Sequence, residues 1–269
     1  MYILAKCTRN GLGKVVLAVF GGNDNAAAHS ANLRQYLYGV RIAPIFQRLL
    51  VVLFRRSPQF FSKLLPVNMA SVLRQIQATS AASSFATRAD YFEFLATKTN
   101  ATQYWEFGVH EGASMKLALN SFNGLNELHG FDSFEGLPTS WTHGSGTTFA
   151  KGHFDVGGQI PQIEDARVVF HKGWFEDVLP NFLTKNPTKG SDLIVHFDAD
   201  LHDPTAFVLD KLNDRLEGTL LMFDEWTGGE ARALEHWLKV HGCRMKFVAW
   251  VPNVNHGLPV QVAGFCVRA

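Results

Sequence analysis

From residue 101 to the end of the chain, short apolar runs of strand length alternate with segments of helical periodicity. No other feature of the sequence limits the fold as much. The pattern predicts strands over 101–107, 127–131, 167–171, 192–197 and 219–223, separated by helices over 113–122, 176–183, 205–213 and 229–240. Two closing strands, 245–251 and 259–267, flank the hairpin-like Pro252-Asn253-Val254-Asn255-His256-Gly257. Alternation of this kind buries a mainly parallel sheet between two helical layers, so the expected class is a doubly wound α/β domain. Five parallel strands should end in an antiparallel hairpin.

The first third of the chain has a different chemistry. Residues 1–89 hold eleven Lys and Arg against a single acid, Asp24, a net charge of +10 that leaves −9 for residues 90–269. The linker-like run Ala78-Thr79-Ser80-Ala81-Ala82-Ser83-Ser84 marks the change, and we set the boundary between a basic extension, 1–85, and the α/β domain, 86–269. Arg34, Arg41, Arg48 and Arg55 recur every seven residues, close to one face of a helix that Pro44 must kink or divide. A mainly helical extension of this kind suits a cap or homo-oligomer contact, with a membrane surface or an anionic substrate as the alternative. Its Arg-rich character is also that of a transit peptide, although it is long for one. The longest apolar stretch, 49–54, is far below the roughly 20 residues of a membrane span. Gly11, Gly13 and Lys14 interrupt any secretory signal, and Cys7, Cys243 and Cys266 lack the spacing of a disulfide framework or zinc site, so a reducing, cytoplasmic location is expected.

Ligands of doubly wound sheets sit at the carboxyl ends of the strands. Those ends read Glu106-Phe107-Gly108-Val109-His110-Glu111-Gly112, Phe131-Asp132-Ser133-Phe134-Glu135-Gly136-Leu137-Pro138, Gly173-Trp174-Phe175-Glu176-Asp177, Asp198-Ala199-Asp200-Leu201-His202 and Asp224-Glu225-Trp226. The first is neither a dinucleotide fingerprint nor a P-loop. Its carboxylate would repel a pyrophosphate but suits a cationic or hydroxyl-bearing ligand; the alternative is a tight turn in which Glu106 caps nearby amides. Asp132 can accept from both hydroxyls of a ribose or serve as a turn residue. Trp174 and Phe175 can flank a flat base or pack in the core.

Together these motifs, with Lys172-Gly-Trp-Phe-Glu-Asp-Val-Leu-Pro and Phe223-Asp-Glu-Trp, resemble the class I S-adenosylmethionine-dependent methyltransferases, and within them the macrocin O-methyltransferase branch. The resemblance covers about residues 101–268. It implies a Rossmann-like seven-stranded sheet, with Glu106, Gly108 and Gly112 around the methionine part of the cofactor and Asp132 on the ribose. The adenine pocket falls at Gly173, Trp174 and Phe175, and Ser133 and Asp198 complete the cofactor set. His110 stands where many methyltransferases have a glycine that the macrocin-like branch also lacks.

Adjacent parallel strands lie about 4.8 Å apart, close enough to bring Asp198, Asp224 and Glu225 to one point. Three hard oxygen ligands suit Mg2+ or another divalent cation. The pattern also resembles metal-dependent catechol-type O-methyltransferases, except that Glu225 replaces an Asn and Leu201 a basic Lys. The inferred chemistry is transfer of the sulfonium methyl to a hydroxyl, with Asp200 or His202 receiving the proton; His202 has the better unperturbed pKa, and its alternative is a solvated residue before a helix. His143, His153 and His256 are weaker loop candidates. The Gly- and aromatic-rich insertion 139–162 reads as a lid. The expected function is O-methylation of a small secondary metabolite or sugar, with no nucleic-acid partner. Its rivals are a metal-independent N- or O-methyltransferase and a non-catalytic nucleoside-binding module.

Overall fold

The structure is a computed structural model that describes residues 82–142, 147–226, 228–252 and 259–268, with strands β1 (Tyr2–Lys6) and β2 (Val16–Phe20). The chain divides into two compact units, 1–71 and 72–269. In the first, β1 and β2 pair antiparallel, and the rest of the expected helical extension up to residue 81 lies outside the described residues. The arginine series at 34–55, and the oligomer and membrane contacts attached to it, lie outside the described residues.

The second unit runs β3 (Ser83–Ser84), α1 (Arg88–Ala96), β4 (Gln103–Phe107), α2 (Ala113–Ser121), β5 (Glu127–Asp132), β6 (Trp141–Thr142), β7 (Thr148–Phe149) and β8 (Val168–Lys172). It continues with α3 (Phe175–Lys185), β9 (Leu193–Phe197), α4 (His202–Lys211), β10 (Leu220–Phe223), α5 (Gly229–His241), β11 (Cys243–Pro252) and β12 (Pro259–Arg268). The sheet order is β3-β11-β12-β10-β9-β4-β5-β8. Strands β8, β5, β4, β9 and β10 are parallel, and β12 inserts antiparallel between β10 and β11. This is the expected doubly wound sheet of five parallel strands and a hairpin, extended by one short edge strand. Ser83–Ser84 pairs with β11, so the linker-like run ends inside the sheet.

The two-residue period of a strand sorts the core into two layers. Trp105, Phe107, Val195, Phe197, Leu221 and Phe223 pack with Leu179, Leu209 and Trp237 of α3, α4 and α5. Tyr104, Leu128, Ile194, Leu220 and Met222 pack on the other face with Phe92 and Leu95 of α1 and Met115 of α2. Glu106 and His196 share the period of this second set, which decides their partners below. Helix α1 escaped the sequence reading, although Thr87 caps it by accepting from the Asp90 amide at 3.1 Å, a local Ser/Thr-x-x-acid signature ahead of an apolar run. Among the described residues, no helix is long and apolar enough to cross a membrane.

Candidate active site

A cleft of about 690 Å³ opens at the carboxyl ends of the parallel strands, within the usual range for small-molecule sites. It joins two ends. One is lined by Gly108, Asp132, Ser133, Trp174 and Phe175, the other by Arg88, Asp198, Asp200, Asp224 and Glu225. Trp141, Phe149 and Phe154 of the insertion line it as well. Trp141 and Phe149 stack at 5.1 Å across the small β6–β7 hairpin, and Gly152 donates back to the Leu137 carbonyl at 2.9 Å.

Gly108 has φ +96, and a Cβ there would fall 1.9 Å from the Asp198 carbonyl oxygen, so only glycine lets these two strand ends meet. Asp132 ties the first two ends together. Its Oδ2 accepts from the amides of Val109 at 2.7 Å and His110 at 2.8 Å, and its Oδ1 from Phe134 at 2.7 Å. Three of its roughly four lone-pair positions are used by the loops, which leaves one toward a ligand. Ser133 Oγ accepts from the Glu135 amide at 3.1 Å. Trp174 is 38% exposed on the cleft rather than packed in the core, while Phe175 sits edge-on to Phe107 at 5.4 Å.

Three residues expected around the cofactor do not line the cleft. Gly112 caps α2 with φ +74, and Gly173 turns the chain into α3 with its amide bound to the Asp132 carbonyl at 2.9 Å. Glu106 is fully buried, because the pleat of β4 turns it toward α1 and α2. It accepts from Ser114 Oγ, through a short contact, and from Tyr104 Oη at 2.9 Å.

Glu106 begins a buried chain that crosses three strands. Tyr104 Oη lies 2.5 Å from His196 Nδ1, and His196 Nε2 lies 2.8 Å from Asp224 Oδ1. Asp224 Oδ2 accepts from Arg88 Nη2 at 2.6 Å and from Gln261 Nε2 at 3.0 Å. Burial opposes a charge on His196, but Asp224 and Glu106 outweigh it and push the imidazole up to about 9. It is an imidazolium at neutrality, donating through both nitrogens. Burial likewise opposes a charge on Asp224, and His196 and Arg88 nonetheless hold it below the ordinary carboxylate range.

Glu230, at the start of α5, holds the two remaining loops. Its Oε1 accepts from the amides of Ala199 at 2.8 Å and Asp200 at 3.1 Å, and its Oε2 from Glu225 at 3.0 Å. Burial raises Glu230 to about 8 and Glu225 to about 9, and it raises Asp198 well above its ordinary value with Asp224, Glu230 and Asp200 adding to it. Asp200, with φ +61 and 9% exposure, is pushed up to about 7, first by burial and then by Asp224.

Helix α4 begins at His202 rather than at Thr205, and the imidazole, 40% exposed and outside the cleft lining, pairs with Asp203 at 2.7 Å. His153 packs on Phe149 at 4.6 Å, and His143 and His256 lie outside the described residues.

No family model matches the sequence, and no curated protein matches it. Among solved structures, it is similar to CalS11, a calicheamicin methyltransferase, with 21% identity over 96% of this chain and 99% of that one and a TM-score of 0.42. The O-methyltransferase TomG from Streptomyces achromogenes, in complex with SAM, shares 14% identity over 77% and 94%, with a TM-score of 0.44. A Mg-SAM structure of CmcI shares 19% over 66% and 70%, with a TM-score of 0.41. Two of these solved structures are described as methyltransferases.

The residues expected to hold a divalent cation do not fit one. Among the described residues, no group of three or more His, Cys, Asp or Glu is arranged to hold a metal ion. Three of the roughly four lone-pair positions of Asp224 are taken by His196, Arg88 and Gln261, two of them by residues that carry or can carry a positive charge. The expectation placed Asp198, Asp224 and Glu225 together without a counter-charge, and Arg88 and His196 supply that charge.

Sequence reasoning missed Arg88, Tyr104, His196, Glu230 and Gln261. A signal existed for His196, the single ionisable residue in the apolar run Leu193–Phe197, and for Tyr104, two residues before Glu106 and hence on its face.

Proposed function

We propose that this chain is a cytoplasmic S-adenosylmethionine-dependent O-methyltransferase of class I, acting on a hydroxyl of a small secondary metabolite or sugar. The reading rests on one observation above the others: a single cleft at the strand ends carries an aromatic and carboxylate end fit for a nucleoside and an acid-rich end fit for a hydroxyl. Trp174 and Phe175 would flank the adenine, the remaining lone pair of Asp132 would meet the ribose, and the backbone at Gly108 and Asp198 would bound the methionine part. S-adenosylmethionine would supply an electrophilic methyl group, transferred to oxygen as its bond to sulfur breaks and the bonding pair stays on sulfur. At the acceptor end Asp200 holds the proton-accepting position, since it lines the cleft and His202 does not. The aromatic side chains of the insertion cover the acceptor and limit water there. Divalent-metal assistance is left out of this reading, for the misfit described above.

Calorimetry with S-adenosylhomocysteine tests the proposal. Binding is expected in the micromolar range, and Trp174→Ala should weaken it by about 1–3 kcal/mol, as loss of a stacking partner for a base does. Absence of binding refutes the reading. Binding with no methyl transfer from labelled S-adenosylmethionine, across phenolic, sugar and amine acceptors, would favour the nucleoside-binding module.

A further inference from the structure

We propose that Arg88 is the resident cation of the acceptor end and takes the place that the sequence reading gave to a divalent metal. The inference rests on the methyltransferase reading above and concerns the same cleft. Arg88 is the first residue of α1, its side chain is 35% exposed, and it lines the cleft together with Asp198, Asp200, Asp224 and Glu225. Its Nη2 stands 2.6 Å from Asp224 Oδ2, the distance of a strong charge-assisted hydrogen bond.

The geometry crowds a metal at Asp224, where three of the roughly four lone-pair positions are taken and a guanidinium stands at one of them. A hard cation sits about 2.0–2.6 Å from each oxygen it binds. At Oδ2 that shell is already shared by the Arg88 guanidinium and the Gln261 amide, and at Oδ1 by the His196 imidazolium. A dication would have to expel Arg88 or stand against its charge. Arg88 is also not used up by Asp224: only its Nη2 bonds to that carboxylate, and its side chain is 35% exposed. A guanidinium has five N–H donors, so donors remain for an oxygen of the acceptor. The charge itself is secure. Burial works against it, but Asp224 and then Asp198 more than offset that cost, and the guanidinium lies above its ordinary value.

Thermal melting of the full chain, in chelator and in millimolar Mg2+, Mn2+ or Ca2+, tests this without reference to turnover. A ligand that binds only the folded state raises its melting temperature. The expected result is that the native protein does not shift with any of the three ions. Arg88→Met should melt lower and recover part of the loss in Mg2+, because the carboxylates then keep only His196 as counter-charge. Arg88→Lys, which keeps a cation, should stay insensitive to the ions. If the Met variant does not fold, Arg88→Gln replaces it. Stabilisation of the native protein by a divalent ion overturns the proposal, and so does a charge-removing variant that ignores all three ions. S-adenosylhomocysteine binding, measured on the same samples, keeps the two readings apart: its absence refutes the methyltransferase assignment, whereas its presence beside a Mg2+ shift refutes only the role of Arg88.

Discussion

Two tyrosines on one face of the sheet lose the same atom in a Tyr→Phe substitution and should respond in opposite ways. Tyr104 Oη donates to Glu106 Oε2 at 2.9 Å and lies 2.5 Å from the imidazolium nitrogen of His196, all three residues being fully buried. Burial, with Glu106 adding to it, holds its phenol well above the ordinary value, so it stays neutral and passes one hydrogen bond on while receiving another. In Tyr104→Phe, Glu106 Oε2 keeps only Ser114 on its other oxygen and His196 Nδ1 at 3.8 Å, while that Nδ1–H loses its acceptor. Each stranded buried group costs about 1–3 kcal/mol, and a direct approach of His196 to Glu106 recovers part, which leaves about 2–4 kcal/mol. For a unit of this size that is a fall of very roughly 5–15 °C in melting temperature. Tyr91 is equally buried, but its hydroxyl has no hydrogen-bond partner among the described residues. Removing a hydroxyl that is already unsatisfied costs nothing in hydrogen bonding, so Tyr91→Phe should lie within about 0.5 kcal/mol of the native protein or above it. Urea unfolding followed by tryptophan fluorescence measures both, with unchanged slopes as the check on two-state behaviour. Equal losses in the two variants would refute the buried chain as described.

Glu230→Gln should leave at least one of the amides of Ala199, Asp200 and Glu225 without its acceptor, and hydrogen exchange at those three positions should accelerate. In Gly108→Ala the added carbon meets the Asp198 carbonyl at a φ that disfavours L side chains, so circular dichroism should report a lower melting temperature and calorimetry a loss of S-adenosylhomocysteine binding. His171 is held down to about 4 by burial first and then by His129, 3.1 Å away. A depressed base favours proton uptake by the unfolded chain, so this contribution to stability is full above about pH 6.5 and is lost as the pH falls toward 4. His171→Gln should therefore flatten the acid limb of a melting-temperature profile, and an unchanged limb would remove the His129–His171 pair from the cause.

The strands were legible because each reads as an apolar run of the right length, and the site was legible as a set of strand ends because topology alone puts ligands there. Individual side chains were harder. Glu106 appears beside Gly108 in sequence, yet the pleat sends it to the opposite purpose, under α1 and α2. Arg88 was one of eleven cations in a basic region, and its partner lies 136 residues away, so no local pattern could single it out. Together with His196, it supplies the counter-charge that the expected carboxylate cluster lacked. The start of α4 was less legible: it lies at His202, three residues before Thr205, so a residue expected in a loop stands in the first turn of a helix.

The position of β12 has a consequence for the order in which the protein becomes competent. This last strand is not appended to an edge but lies between β10 and β11, and its Gln261 holds Asp224 while its Val260 carbonyl accepts from the Trp226 amide at 2.9 Å. A nascent chain released up to residue 258 has made every strand that bounds the nucleoside end but lacks the wedge that joins the sheet's two halves. The acceptor end therefore waits on β12, and a chain that stops short of it leaves β10 with an open, apolar edge.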